Sequence, residues 1–171
     1  AIATSSFSHA DPAPRKMLEQ AGVEIKDNPW GRKMDQKEII DHLQGVHGLL
    51  AGLEPLNREV LSTAKDLKAL ARIGIGMDNV DIEAAGKLGI KVSNTPDGPT
   101  RAVAELTISC LLSLCRQVPQ MNADMHAGKW NKVISLGLKG TPVLFFGYGR
   151  IARAVVDLLR PFESQIMVCD P

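Results

Sequence analysis

Cysteine is scarce in this chain: Cys110, Cys115 and Cys169 are the only three in 171 residues, with no C-x-x-C spacing. An odd, sparse set excludes a disulfide-rich secreted scaffold and fits reduced, buried thiols in a cytoplasmic protein. Long hydrophobic runs are missing as well. No stretch approaches the length of a transmembrane helix and no signal-peptide pattern opens the chain, so no membrane partner is expected. Nor does charge of one sign prevail. The 20 Lys and Arg nearly balance 19 Asp and Glu, which removes the bulk electrostatic argument for a nucleic-acid partner. The histidines, His9, His42, His47 and His126, are isolated from one another and read as surface or structural residues. There is no internal repeat and no low-complexity segment. What remains, 44% apolar and 23% charged residues, is the composition of a globular chain long enough for one large domain or two small ones.

The most informative stretch is Val143–Asp170. Val143 to Phe146 is wholly apolar, as suits a strand covered on both faces. Gly147-Tyr148-Gly149-Arg150-Ile151-Ala152 follows at once and matches the G-x-G-x-x-G/A dinucleotide pattern. In that pattern Gly147 allows the tight turn, Gly149 lets the backbone approach a pyrophosphate, and Ala152 lets the helix pack close to the strand. A helix is expected from Arg150 to Leu159, with Ile151, Val155 and Leu158 on one face and Pro161 as its stop. The free N–H groups of Arg150 and Ile151 at the helix start are suited to a diphosphate. Ile166 to Cys169 reads as a second strand closed by Asp170. The Asp170 carboxylate there accepts from ribose hydroxyls and repels a 2′-phosphate, which favours NAD over NADP. The competing reading is a bare glycine-rich turn with Asp170 as a cap.

Strand and helix signals alternate from residue 1 to residue 93. Ile2–Phe7, Val23–Ile25, Val46–Ala51, Leu67–Ile73 and Ile90–Val92 read as strands. Between them, Asp11-Pro12 opens a helix with Met17, Leu18 and Ala21 as its apolar face and Gly22 at its end. Asp35 with Glu38 forms a capping box before Ile39, Ile40 and Leu43. Asn57 caps Arg58–Ala64, and Asp81 starts a helix that Gly89 ends. This alternation predicts an α/β fold, a flavodoxin-like lobe with helices on both faces of a parallel sheet. After the hinge signal Asp97-Gly98-Pro99, Thr100–Arg116 reads as a long helix with two apolar stripes. One is Val103, Leu106, Cys110, Leu111 and Leu114; the other is Ile108, Leu112 and Cys115. A helix apolar on two sides needs two partners, one of which is the first lobe or a second subunit. Val118–Trp130 is a further helical stretch.

Four ordered segments resemble the D-isomer-specific 2-hydroxyacid dehydrogenases, and most of all their phosphoglycerate dehydrogenase branch. They are ARIGIGMDNVDIEAAGKLGIKVSNTP (Ala71–Pro96), AVAELTISCLLSLCRQVP (Ala102–Pro119), HAGKW (His126–Trp130) and LKGTPVLFFGYGRIA with CDP (Leu138–Pro171). The resemblance implies a substrate-binding lobe at residues 1–96. It implies the first part of a Rossmann doubly wound NAD-binding lobe at 97–171, with NAD between the two. It further implies NAD-dependent hydride transfer between a D-2-hydroxy acid and a 2-keto acid, and a homodimer. The backbone N–H groups of Gly74, Ile75 and Gly76 are implied to hold the substrate carboxylate. Glycines there bring donors close to an anion with no Cβ in the way. Arg72 is placed to meet a second anionic group, and Val103 to pack against the nicotinamide end.

The chain departs from the family pattern at Leu144, which stands for a glycine, at Phe145, which stands for a smaller aliphatic, and at Ala152. Ala51 occupies a position where many phosphoglycerate enzymes carry a phosphate-binding arginine, which argues against 3-phosphoglycerate as the substrate. The resemblance puts the catalytic histidine, its carboxylate partner and the substrate-orienting arginine beyond Pro171. No catalytic residue and no metal ligand is therefore assigned within these residues, and the chain by itself is expected to be inactive. The doubly wound order also leaves the Val143 strand without its further neighbours. The alternative to a dehydrogenase is a non-catalytic NAD-binding regulatory or scaffold module.

Overall fold

Short-range capping sets the starts of three helices in the first half of the chain. In the computed structural model, which describes residues 1–171, the chain divides into two compact units, Ala1–Pro96 and Asp97–Pro171. The first unit contains α1 (Ala13–Gln20), α2 (Gln36–His42), β1 (Gly48–Ala51), α3 (Arg58–Thr63), β2 (Ala69–Arg72), α4 (Ile82–Lys87) and β3 (Lys91–Asn94). The Asp35 capping box is present on both of its arms. Asn57 Oδ1 accepts from Val60 N at 3.0 Å and Asp81 Oδ1 from Ala84 N at 2.8 Å, so α3 and α4 each begin on a satisfied donor. Gly22 and Gly89 end their helices at φ of +72°.

The three strands are parallel in the order β1-β2-β3. Their alternate residues Leu49, Ala51, Leu70 and Arg72 point to a buried face, which α2, α3 and α4 cover with Ile39, Leu43, Val60, Leu61, Ala84 and Ala85. Ile2 pairs with Leu50 through a single parallel bridge, and Ile2 N donates to Lys26 O at 2.9 Å. The backbone thus follows the flavodoxin-like order 2-1-3-4-5, with residues 23–26 outermost.

Three expectations are corrected here. Ile2–Phe7 is not a strand beyond its one bridge, because Ser5 to Ser8 turn and Ser8 adopts φ +56°. Val23–Ile25 forms no ladder; the one inward backbone bond of that edge is accepted by Lys26 O, and Val23 is exposed. The apolar face of α1 buries nothing, and Met17 is exposed. On that side the sheet is open, leaving an apolar groove of about 280 Å³ lined by residues such as Leu18, Ile25, Leu50 and Val92.

The second unit contains α5 (Thr100–Cys115), α6 (Val118–His126), β4 (Pro142–Phe146), α7 (Arg150–Leu159), a 3₁₀ turn at Arg160–Phe162 and β5 (Gln165–Cys169). β4 and β5 are parallel with Val143 opposite Ile166. α5 packs on α7 around Ala104, Val155, Leu159 and Leu138, joined by the predicted stripe Ile108, Leu112 and Cys115. The other stripe is not covered: Leu106 is 63% and Leu114 73% exposed, and only Leu111 of that set reaches the core. Of the three thiols expected to be buried, Cys110 and Cys169 are exposed and Cys115 is only partly covered. The expected helix at Val118–Trp130 stops at His126, and Gly128 follows at φ +70°. β5 is exposed along its whole length, since no element covers either of its faces. No helix is long and apolar enough to cross a membrane.

Candidate functional site

Two clusters of backbone donors stand at strand ends, one in each unit. In the second unit, β4 passes into Gly147 at φ +91°, whose N–H donates to Cys169 O at 2.7 Å and ties the turn to the end of β5. Gly149 is the N-cap of α7 in extended conformation, φ −74° and ψ −166°, and no side chain caps the helix. The first bond back to the cap is Arg153 N to Gly149 O at 3.1 Å, so the N–H groups of Arg150, Ile151 and Ala152 are left over. A Cβ built on Gly147 or Gly149 meets no atom within 4 Å. Unpaired donors, the positive end of a ten-residue helix and an open approach together fit a diphosphate.

The neighbouring side chains leave that approach clear. Arg150 turns to Asp97, Nε to Oδ1 3.2 Å. Arg153 donates from Nε to Tyr148 O at 3.1 Å and lies 5.5 Å from the Tyr148 ring centre. Ile151 packs into the core, so only its backbone faces the cradle. Asp170 follows β5 directly and is exposed, one residue past the Phe146–Cys169 pair. Val103 lies on the uncovered stripe of α5, and Thr100 Oγ1, at the start of that helix, is buried without a hydrogen-bond partner.

In the first unit the cluster sits where β2 ends. Gly74 adopts φ +148°, a conformation that suits glycine. The expectation of three free amides is corrected: Gly74 N donates to Thr95 Oγ1 at 2.8 Å and to Arg72 O at 3.0 Å. Ile75 and Gly76 keep N–H groups that have no acceptor in the chain. Gly74 O accepts from Thr95 N at 3.0 Å, and Ile75 O from Asn94 Nδ2 at 2.8 Å. Arg72 is 9% exposed, donates from Nη1 to Ile73 O, and leaves Nε buried without a partner. No carboxylate forms an ion pair with it. A buried guanidinium with an unused donor attracts an anion. It borders a cavity of about 380 Å³ that Thr4, Ser6, Ser8 and Thr95 also line.

Two further side chains brace the chain just past the end of β1, and nothing in the local sequence pattern singles out either. Asn79 Nδ2 donates to Glu54 O at 2.8 Å and Gly52 O at 3.2 Å. Glu54 is fully buried and accepts from Gly52 N at 2.8 Å. None of the histidines is near either cluster by its contacts. His9, His47 and His126 are exposed. His42 is buried on α2, 3.3 Å from Ile2 O and edge-on to Trp30, and burial holds its pKa below the usual imidazole range.

Comparison with known proteins agrees with this geometry. Residues 3–162 match the family model "D-isomer specific 2-hydroxyacid dehydrogenase, catalytic domain". The chain is 36% identical over 164 residues to D-3-phosphoglycerate dehydrogenase of Sus scrofa, covering 94% of this chain and 30% of that protein. It superposes on the crystal structure of the TT0316 protein from Thermus thermophilus with a TM-score of 0.85 at 31% identity, over 91% of this chain and 51% of the other. NAD-dependent formate dehydrogenase from Staphylococcus aureus, solved in complex with NAD, matches with a TM-score of 0.77 at 27% identity, over 93% and 49% of the two chains. The chain thus spans about 30% of the length of such a sequence relative and about half that of the solved structures.

Proposed function

This chain belongs to the D-isomer-specific 2-hydroxyacid dehydrogenase family, and on that footing we propose that it binds NAD and the carboxylate of a 2-hydroxy or 2-keto acid. Residues 1–96 are the substrate-binding lobe and 97–171 the first part of the NAD-binding lobe. The observation that carries the reading is the uncapped start of α7 beneath an open glycine cradle, with Asp170 at the end of the adjacent strand. The Arg150 and Ile151 N–H groups donate to the pyrophosphate, with Gly147 and Gly149 keeping the approach free. Asp170 accepts from the ribose hydroxyls and disfavours a 2′-phosphate. Val103 packs against the nicotinamide end. When bound, the dinucleotide supplies or takes up the hydride exchanged with C2 of the acid.

The Ile75 and Gly76 N–H groups hold the substrate carboxylate, and Arg72 meets a second anionic group on the substrate. The proton that a keto oxygen takes up on reduction is assigned to no residue of this chain. The free thiols fit a cytoplasmic protein.

The test is a fluorescence titration with NADH and, in parallel, NADPH, followed by a panel of 2-keto acids. NADH is expected to bind, with NADPH at least ~10-fold weaker, because a 2′-phosphate faces the like charge of Asp170 and forfeits the ribose hydrogen bond. A chain that binds neither overturns the reading. No turnover is expected of these residues alone, so turnover of any acid favours the enzyme over the regulatory or scaffold module.

The uncovered residues Leu106, Cys110 and Leu114 on α5 are the face we assign to a homodimer. Sedimentation velocity is expected to show a dimer that Leu106→Glu dissociates. A wild-type chain that sediments as a monomer removes this assignment.

A further inference from the structure

Asn94 closes β3, and by its place in the sequence it is no more than a strand end. Its Nδ2 reaches across to Ile75 O at 2.8 Å, a partner nineteen residues away in sequence. The chain contains no cis peptide bonds. In a planar trans peptide the C=O and the following N–H point in opposite directions. Holding Ile75 O toward β3 therefore aims the Gly76 N–H away from β3. The preceding peptide is held the same way by main chain alone: Thr95 N donates to Gly74 O at 3.0 Å, which aims the Ile75 N–H to the same side. The third amide of the loop is removed from use by Thr95 Oγ1, which accepts from Gly74 N at 2.8 Å. Asn94, at the end of β3, and Thr95, the next residue, thus select which two amides of the Gly74–Gly76 loop are offered to a ligand, and in which direction.

We propose that Asn94 is a positioning residue, locking the Ile75–Gly76 peptide so that the Gly76 N–H is presented to the substrate carboxylate. The inference rests on the anion-binding reading of that loop and adds to it the side chain that orients one of its two donors. Without the lock the peptide rotates between orientations, since glycine at position 76 offers little resistance, and part of the binding energy goes into reordering it. The Ile75 donor does not depend on Asn94, because a backbone bond aims it. That asymmetry separates a positioning role from a general loosening of the fold.

The experiment is a pyruvate titration of the ¹⁵N,¹³C-labelled chain, as wild type, Asn94→Asp and Asn94→Ala, read at each amide. Asn94→Asp keeps the shape but has no N–H to give. In the wild type, pyruvate is expected to shift the Ile75 and Gly76 amides and not that of Gly74. In both variants the Gly76 response is lost, the Ile75 response persists, and pyruvate binds roughly 10-fold more weakly, the loss of one charge-assisted donor. Without ligand, the Ile75 carbonyl shift is expected to move in both variants, which reports the broken bond directly. A Gly76 response that survives in both variants overturns the proposal and leaves the anion loop standing. A wild-type chain whose Ile75 and Gly76 amides ignore pyruvate overturns the anion reading, and the proposal with it.

Discussion

Gly149→Ser weakens NADH binding by roughly 100-fold while leaving the chain as stable as before, or more stable by a few tenths of a kcal/mol. The two halves of this expectation come from the same position. Gly149 is the N-cap of α7 at φ −74°, a backbone region open to any residue, and a Cβ there meets no atom within 4 Å. Serine is also a better N-cap than glycine, and its hydroxyl has unpaired N–H groups to accept from. The folded chain therefore tolerates the change. The ligand does not, because the new Cβ and hydroxyl stand in the approach to the diphosphate and use a donor that would have gone to it. A thermal melt and a fluorescence titration on the same sample read both effects. Undiminished NADH binding by the serine variant would show that the pyrophosphate sits elsewhere.

Gly74→Ala destabilises the first unit by about 3 kcal/mol, a large share of the stability of a small domain. Two causes combine. The backbone is at φ +148°, where an L side chain is strained, and the new Cβ overlaps the Arg72 guanidinium. Arg72 is buried, so it moves only by giving up its bond to Ile73 O and disturbing the packing around it. Gly48→Ala is the control: that glycine lies in β1, its Cβ position is empty, and its φ is ordinary, so the change is expected to stay within about 0.5 kcal/mol of wild type. Urea unfolding of both variants checks the pair. Equal midpoints would mean that the Gly74 conformation is not enforced by the fold.

Elements specified by neighbours a few residues apart are legible in the amino-acid order alone. The Asp35–Glu38 box and the Asn57 and Asp81 caps are contacts over three residues, and each is present. The glycines of the β4–α7 turn and the helix after them form a local pattern too, and the turn, the helix and the parallel strand β5 all follow. The apolar period of α5 is equally readable, but a period does not say which face is covered. The structure covers the Ile108 side and leaves Leu106 and Leu114 exposed, because α7 offers only one packing surface. The apolar face of α1 stays uncovered for the same reason: nothing lies across the sheet to receive it.

The sequence by itself determined the α/β class, the order of helices and strands from Asp35 onward and the identity of the donor-rich turns, since these depend on backbone preferences and on residues close along the chain. Tertiary structure alone decided which donors are free. Gly74, Ile75 and Gly76 look alike in a sequence, yet Thr95 takes the first N–H and orients the second, while Asn94 orients the third. Those partners stand at and just past the end of β3, about twenty residues on, and only the parallel pairing of β2 with β3 brings them alongside. A hydrogen bond depends on the distance and angle between two groups, and residues that far apart in sequence acquire both only when the sheet has formed.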